Sequence, residues 1–117
     1  MVIRNRDRQT PFITKDGSTI ISLLDYVNAP VENQSLAEAF IPAGSSTRRH
    51  FHRRSEEFYY ILSGIGLMEM DGETREVGRG DAILIPCGAW HEIRAQEDLV
   101  FLCCCAPPYQ HGDTFFE

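Results

Sequence analysis

The chain has 117 residues, of which 43% are hydrophobic and 24% are charged, and its formal net charge is −6. This length predicts one domain whose core needs no disulfide bonds, and the acidic balance argues against nucleic acid as a partner, because phosphate binding needs a basic surface. No apolar run approaches the roughly 20 residues that cross a bilayer, and the N-terminal residues lack a signal-peptide core. We therefore expect a cytoplasmic protein that does not bind membranes.

Short apolar runs separated by turn signals predict an all-β fold of antiparallel strands, since no long stretch has helical periodicity. Asp71-Gly72 is the strongest hairpin signal. The central strands are predicted, in chain order, over residues 36–41, 48–52, 57–62, 66–70, 73–77, 82–85, 90–95 and 99–105. Strands at a spacing of roughly 8–12 residues are typical of a sandwich or a barrel.

The two ends of the chain are less regular than the centre. Phe12-Ile13 and Thr19-Ile20-Ile21 indicate short strands, whereas Ser22-Leu23-Leu24 fits either a strand or a helical turn. The C-terminal residues are irregular but too apolar for a disordered end, so we expect them to pack on the domain. The single domain, residues 1–117, is thus divided into N-terminal strands and arm over 1–33, a barrel core over 34–105 and a tail over 106–117.

The strand predicted over 57–62 is apolar on both faces. Tyr59 and Ile61 point to one side, and Phe58, Tyr60 and Leu62 point to the other. A sheet with one wet face would not carry this pattern, so the outer side needs a cover. We expect a second subunit, in a homodimer, or the N-terminal strands to provide it.

Three histidines and one glutamate predict a metal site. His50 and His52 are two residues apart, which places both side chains on one face of a strand. Glu57 and His91 follow, whereas we expect the neighbouring Glu56 to face away. Imidazoles with one carboxylate suit a divalent iron, manganese, nickel, copper or zinc ion. The pattern predicts one such ion and leaves its identity open.

The spacing of these residues resembles the first motif of the cupin superfamily. That motif reads glycine, five residues, His-x-His, three or four residues, glutamate, six residues, glycine. The chain has it as Gly44, His50, His52, Glu57 and Gly64, with four residues between the second histidine and the glutamate.

The second cupin motif is present with one departure. It reads glycine, five residues, Pro-x-Gly, two residues, histidine, three residues, asparagine. Gly80, Pro86, Gly88 and His91 fit, and Ala95 replaces the asparagine. The resemblance is to the small single-domain cupins that are often compared with mannose-6-phosphate isomerase. It implies a small β-barrel or jelly roll, usually dimeric, in which the three histidines and the glutamate hold one metal ion.

Two further residues are candidates for the chemistry of this site. Arg48 shares the parity of His50 and His52, and a guanidinium there would bind a carboxylate or phosphate of an anionic ligand. Its alternative role is a solvated or paired surface residue. Tyr59 shares the face of Glu57 and is a candidate catalytic residue, although aromatic side chains at strand spacing more often serve packing.

The remaining metal-ligand residue types favour structural roles. Cys87 stands alone in a turn, and strand alternation should point Cys104 away from Cys103 and Cys105. We interpret the cysteines as reduced thiols and His111 as an ordinary surface or core residue.

Two functions fit the sequence, and a third fits it poorly. A mononuclear metalloenzyme would act on a small molecule, with dioxygenase, isomerase or decarboxylase chemistry among those that the resemblance implies. A non-catalytic barrel would bind or sense a small ligand. A purely structural role does not account for four aligned metal ligands.

Overall fold

The computed structural model describes residues 1–117 and consists almost entirely of β-strands. Two short 3-10 helices, Arg6–Arg8 and His111–Asp113, are its helical elements, and no helix has the length and apolar character to cross a membrane. The strands are β1 Phe12–Ile13, β2 Thr19–Leu24, β3 Ser35–Ile41, β4 His50–His52, β5 Glu56–Ser63, β6 Ile65–Met70, β7 Glu73–Gly78, β8 Ala82–Ile85, β9 His91–Ala95, β10 Leu99–Ala106 and β11 Thr114–Phe116.

The strands form two antiparallel sheets that face each other. The six-stranded sheet has the order β1-β2-β3-β10-β5-β8, and the five-stranded sheet has the order β11-β4-β9-β6-β7. Ile61 and Phe101 from the first sheet pack in one core with Met68 and Ile93 from the second. This architecture confirms the predicted all-β jelly roll, and it leaves a polar site at one end of the core.

The central strands lie where the sequence predicts them, with small shifts at their ends. The segment predicted over 48–52 begins as a strand only at His50. Before that point, the backbone N–H of Arg48 donates to the carbonyl of Asp16 at 2.7 Å. The chain is therefore tied to the hairpin between β1 and β2 before it joins the five-stranded sheet.

The ends of the chain are more regular than their sequence suggests. Ser22–Leu24 belongs to β2 and is extended, which decides between the two alternatives for that segment. The description of the tail as irregular is wrong for its last residues, because β11 pairs with β4 and places Phe116 opposite His50. Backbone pairing thus packs the tail beside two histidines of the predicted site.

Alternation along β5 separates two faces of different character. Glu57, Tyr59 and Ile61 are buried, whereas Phe58 and Tyr60 are 50% and 45% exposed. The N-terminal strands do not cover this outer face, because β1 and β2 lie at the far edge of the sheet from β5 and β8. In the single chain, the outer side remains open and apolar.

Gly64 is the glycine of the first motif whose role the backbone explains most directly. Its φ is +91°, and a Cβ there would lie 2.1 Å from the carbonyl oxygen of Asp98. Only glycine fits such a contact and such a φ. The turn between β5 and β6 therefore requires it.

Candidate metal centre

Three strands bring the predicted ligands together. His50 and His52 alternate on β4, and antiparallel pairing of β4 with β9 places His91 directly opposite His50. The rings of His50 and His91 are 4.2 Å apart between centroids, and those of His50 and His52 are 5.1 Å apart. Glu57 reaches the same region from β5 in the opposing sheet. The four side chains thus meet between the two sheets.

The three histidines form a compact buried cluster. Their relative exposures are 1% for His50, 4% for His52 and 0% for His91. One ligand atom of each lies within 4.8 Å of the ligand atoms of the other two. This arrangement can hold a divalent metal ion.

Backbone carbonyls fix the orientation of all three rings. The Nδ1 atoms lie 2.6 Å from the carbonyl oxygen of Arg48 for His50, 2.9 Å from that of Ala89 for His91, and 3.3 Å from that of Asp113 for His52. In a neutral ring, an Nδ1–H that donates to a carbonyl leaves Nε2 with a free lone pair. The cluster is therefore arranged to present Nε2 atoms as ligands, the usual support for metal-bound histidine.

Glu57 faces the histidines with one unpaired oxygen. Its Oε1 lies 3.3 Å from Nε2 of His52 and 3.6 Å from Nε2 of His91. Both Oε1 and Nε2 of His91 are buried without a hydrogen-bond partner. The other oxygen, Oε2, accepts from the thiol of Cys105 at 3.3 Å. Unpaired buried polar atoms are costly, and a cation between them would satisfy both, so these residues fit a divalent ion.

The pKa values of the cluster residues are shifted in different directions. Burial, together with the nearby His91, lowers the pKa of His50 to about 4. Burial opposes the charge on Glu57, but contact with His52 and His91 outweighs it and holds the pKa of Glu57 below its usual range. Burial also opposes a charge on His52, yet Glu57 raises the pKa of that imidazole. At neutral pH, the site thus combines a neutral His50 with an ionised Glu57, which suits cation binding.

A small cavity of about 50 Å³, open to solvent, adjoins the cluster. Its lining includes His50, His52 and Glu57, and neither lysine nor arginine is part of it. The aromatic residues in its wall are Phe12, Tyr59, Phe101 and Tyr109, and the carboxylates besides Glu57 are Asp16 and Asp25. The cavity is therefore half apolar and, without a metal ion, negative.

Residues 37–105 match the family model described as the cupin domain. The chain belongs to this family. The match covers more than half of the chain and contains all four predicted ligands, so the resemblance drawn from the two motifs is confirmed.

Similar proteins extend this result over most of the chain. The uncharacterized protein MJ1618 of Methanocaldococcus jannaschii is 50% identical over 110 residues, which cover 92% of this chain and 88% of that one. The polyketide cyclase RemF from Streptomyces resistomycificus superposes with a TM-score of 0.78 at 27% identity, over 91% of this cupin and 79% of RemF. Pac13, a nucleoside dehydratase from Streptomyces, superposes with a TM-score of 0.85 at 16% identity, over 100% and 91% of the two chains, and shows the shared fold.

The two candidate catalytic residues of this cupin lie in different surroundings. Tyr59 lines the cavity, with its ring centroid 6.1 Å from that of His91, and burial raises its pKa well above the usual value. Arg48 is exposed and does not line the cavity, and its guanidinium lies 4.2 Å from the ring centroid of Phe116. Tyr59 can thus contact a ligand in the cavity, whereas the role of Arg48 in anion binding stays a prediction.

The neighbours of the ligands follow the predicted alternation. Glu56 is exposed on the opposite face from Glu57. Cys103 and Cys105 line the cavity, and Cys104 does not. Burial raises the pKa of the Cys105 thiol far above its usual value, so that it remains a donor to Glu57. His111 is exposed and lies outside the cluster, with Nδ1 3.0 Å from the hydroxyl of Tyr109.

Two acidic residues near the site were missed from the sequence. Asp113 accepts hydrogen bonds from the backbone N–H groups of Arg54 and Ser55, and its carbonyl faces His52. Asp16 lies 3.7 Å from Nε2 of His50, through Oδ2. Asp16-Gly17 does signal a turn, but nothing in the sequence shows that this turn folds over the histidines.

Proposed function

We propose that this cupin binds one divalent metal ion through Nε2 of His50, His52 and His91 and Oε1 of Glu57. The observation that carries the proposal is the pair of buried atoms without hydrogen-bond partners, Glu57 Oε1 and His91 Nε2, which face each other at 3.6 Å. All three Nδ1 atoms face carbonyl oxygens, so Nε2 remains for the ion. Three nitrogens and one oxygen suit iron, manganese, nickel, copper or zinc.

We further propose that the site is catalytic and acts on a small, neutral molecule that carries a ring and hydroxyl groups. Phe101 and Tyr59 offer apolar surface for a ring, while the carboxylates in the wall accept hydrogen bonds from hydroxyl groups. The absence of lysine and arginine from the cavity lining disfavours an anionic group there, unless it binds the metal ion itself. An anionic ligand would therefore have to bind the metal ion directly, through a carboxylate or enolate group.

The reaction that fits best is redox-neutral, in the lyase or isomerase class. A bound divalent ion would supply Lewis-acid polarisation of a carbonyl or hydroxyl oxygen. The two tyrosines of the wall keep their protons, because burial raises the pKa of Tyr59 and raises that of Tyr109 to about 12. Each is thus a hydrogen-bond donor at neutral pH. The similarity to a polyketide cyclase, at 27% identity, supports this class.

Elemental analysis with two functional probes tests this function. The untagged protein, expressed without added metal, should contain one ion per chain, and His91→Ala should lose it. The metal-loaded protein should bind neutral hydroxylated aromatic compounds. It should not consume oxygen in their presence. Oxygen uptake would indicate an oxygenase and not a lyase or isomerase. A wild-type protein that contains no metal ion would contradict the proposal of a metalloenzyme.

The open face of the six-stranded sheet supports a second proposal, on assembly. Phe58, Tyr60 and Leu84 form a contiguous apolar surface on its outer side, with exposures of 50%, 45% and 52%. Leu62, two residues after Tyr60 on the same strand, is 37% exposed. A patch of this kind marks an interface. We propose that two copies of the chain cover it in a homodimer, which functions in the cytoplasm.

A further inference from the structure

The turn between β1 and β2 carries a carboxylate whose two oxygens have different surroundings. The turn is closed by a hydrogen bond from the N–H of Thr14 to the carbonyl of Ser18, at 3.0 Å. Oδ1 of Asp16 accepts from the N–H of Ser18 at 2.9 Å, from its hydroxyl at 2.6 Å and from the hydroxyl of Thr14. Oδ2 takes part in none of these contacts. One oxygen is therefore held inside the turn and the other is left over.

The remaining oxygen points at the histidine cluster. Oδ2 of Asp16 lies 3.7 Å from Nε2 of His50, and the side chain is 16% exposed. This separation matches the 3.3 and 3.6 Å between Oε1 of Glu57 and the Nε2 atoms of its own two histidines. Asp16 thus approaches one histidine of the cluster from the hairpin side, whereas Glu57 approaches the other two. It lines the same cavity.

Residue 48 ties the carboxylate and the histidine into one unit. The N–H of Arg48 donates to the carbonyl of Asp16 at 2.7 Å, and the carbonyl of Arg48 accepts from Nδ1 of His50 at 2.6 Å. Two hydrogen bonds through a single residue therefore fix the position of the hairpin tip relative to the ring of His50. Such support is typical of groups that must hold a set geometry.

We propose that Asp16 is a fifth protein ligand of the metal ion, through Oδ2; this rests on the proposed metal site. Two carboxylates would balance the charge of a divalent ion inside a cavity whose lining contains neither lysine nor arginine. Five protein donors would leave one open position on a six-coordinate ion, whereas the three histidines and Glu57 alone would leave two. A substrate then binds through a single atom, which suits Lewis-acid chemistry and not the joint binding of substrate and dioxygen.

Calorimetric titration of the metal-free protein with Zn²⁺ tests the proposal, with Asp16→Asn as the variant. The substituted amide keeps an oxygen for the N–H of Ser18, so the turn is retained, while its NH₂ group cannot bind a cation. Asp25→Asn is the matched control, because Asp25 lines the same cavity and accepts from the N–H of Val27 in a similar turn. Unfolding midpoints of the metal-free proteins verify that both variants fold.

We expect Asp16→Asn to weaken Zn²⁺ binding about tenfold or more. Asp25→Asn should have a much smaller effect, because Asp25 forms no ion pair with the histidines. With Co²⁺ as a spectroscopic probe, Asp16→Asn should intensify the visible bands, because the coordination number falls. An unchanged affinity and spectrum, or an equal weakening in both variants, would overturn the role of Asp16. If that happens while the wild type binds metal and His91→Ala does not, the metal site stands without Asp16. A wild type that binds no metal overturns both.

Discussion

The two faces of the strands β5 and β10 differ in polarity and in burial. On the inner face, Glu57 and Cys105 are polar, buried and hydrogen-bonded to each other. On the outer face, Phe58 and Tyr60 are apolar and half exposed. Residues that alternate along the same strands thus lie on two different surfaces: one face contributes to the candidate metal site, and the other forms the apolar surface for which we propose dimerisation.

The largest effect that separates the two faces is expected at the neighbouring glutamates. Glu57→Gln removes a charged donor from the cluster, whereas Glu56→Gln removes an equal charge from the exposed side. We expect the first substitution to lower the affinity for Zn²⁺ by roughly 100-fold or more, since even partners that merely orient a ligand contribute 10- to 100-fold. Calorimetric titration of both variants measures this difference.

The control variant Glu56→Gln should bind Zn²⁺ with an affinity within about twofold of the wild type, because solvent and salt screen an exposed surface charge. Equal losses in the two variants would show that net charge, and not coordination by Glu57, governs binding.

The outer face gives the next effect, on assembly. Leu84→Asp places a carboxylate in the apolar surface, and a desolvated, unpaired charge costs a few kcal/mol, so dimer dissociation should increase roughly 100-fold. Light scattering at micromolar concentration should show a dimer for the wild type and a monomer for the variant. Metal content should not change, provided the two faces act independently.

Val27→Asp is a suitable comparison, because Val27 is 89% exposed in a turn. It should remain dimeric. A wild type that is already monomeric at this concentration would remove the proposed interface.

The smallest effect concerns the cysteines of β10. Cys105→Ala removes the thiol that donates to Oε2 of Glu57 at 3.3 Å, whereas Cys104→Ala removes a thiol outside the cavity. We expect the first variant to bind Zn²⁺ about three to ten times more weakly, since a thiol is a weak donor. Cys104→Ala should match the wild type, and Cys105→Ser should recover most of the affinity because its hydroxyl donates in place of the thiol. No recovery in Cys105→Ser would assign the loss to packing.

Much of the fold and the centre of the site follow from local sequence patterns. The motif spacing from Glu57 to Gly64 selects Glu57 as the inward residue, and period-two alternation then predicts that Glu56 points outward. Alternation also predicts that Cys104 opposes its neighbours, and the structure confirms these orientations. Turn residues such as Gly64 mark where strands end. The two motifs predict that His50, His52 and His91 share one site, and the structure places them in one cluster.

What the sequence does not reveal depends on contacts between distant segments. The pairing of β11 with β4 joins residues more than 60 positions apart, and its three residues carry too little pattern to be recognised as a strand. Asp16 and Asp113 reach the cluster through turns whose direction is set by tertiary contacts. Arg48 is two residues before His50, and alternation predicts that it lies on the same face. It precedes β4 and does not belong to the strand, so the alternation does not extend to it and its side chain does not line the cavity.

Anomalous X-ray scattering from crystals of the purified protein, collected on both sides of the absorption edge of the ion found by elemental analysis, tests the central claim most directly. We predict a single anomalous peak per chain, in contact with Nε2 of His50, His52 and His91 and with Oε1 of Glu57. A protein without such a peak after loading with stoichiometric Zn²⁺, or with its peak at another place on the chain, would contradict this account.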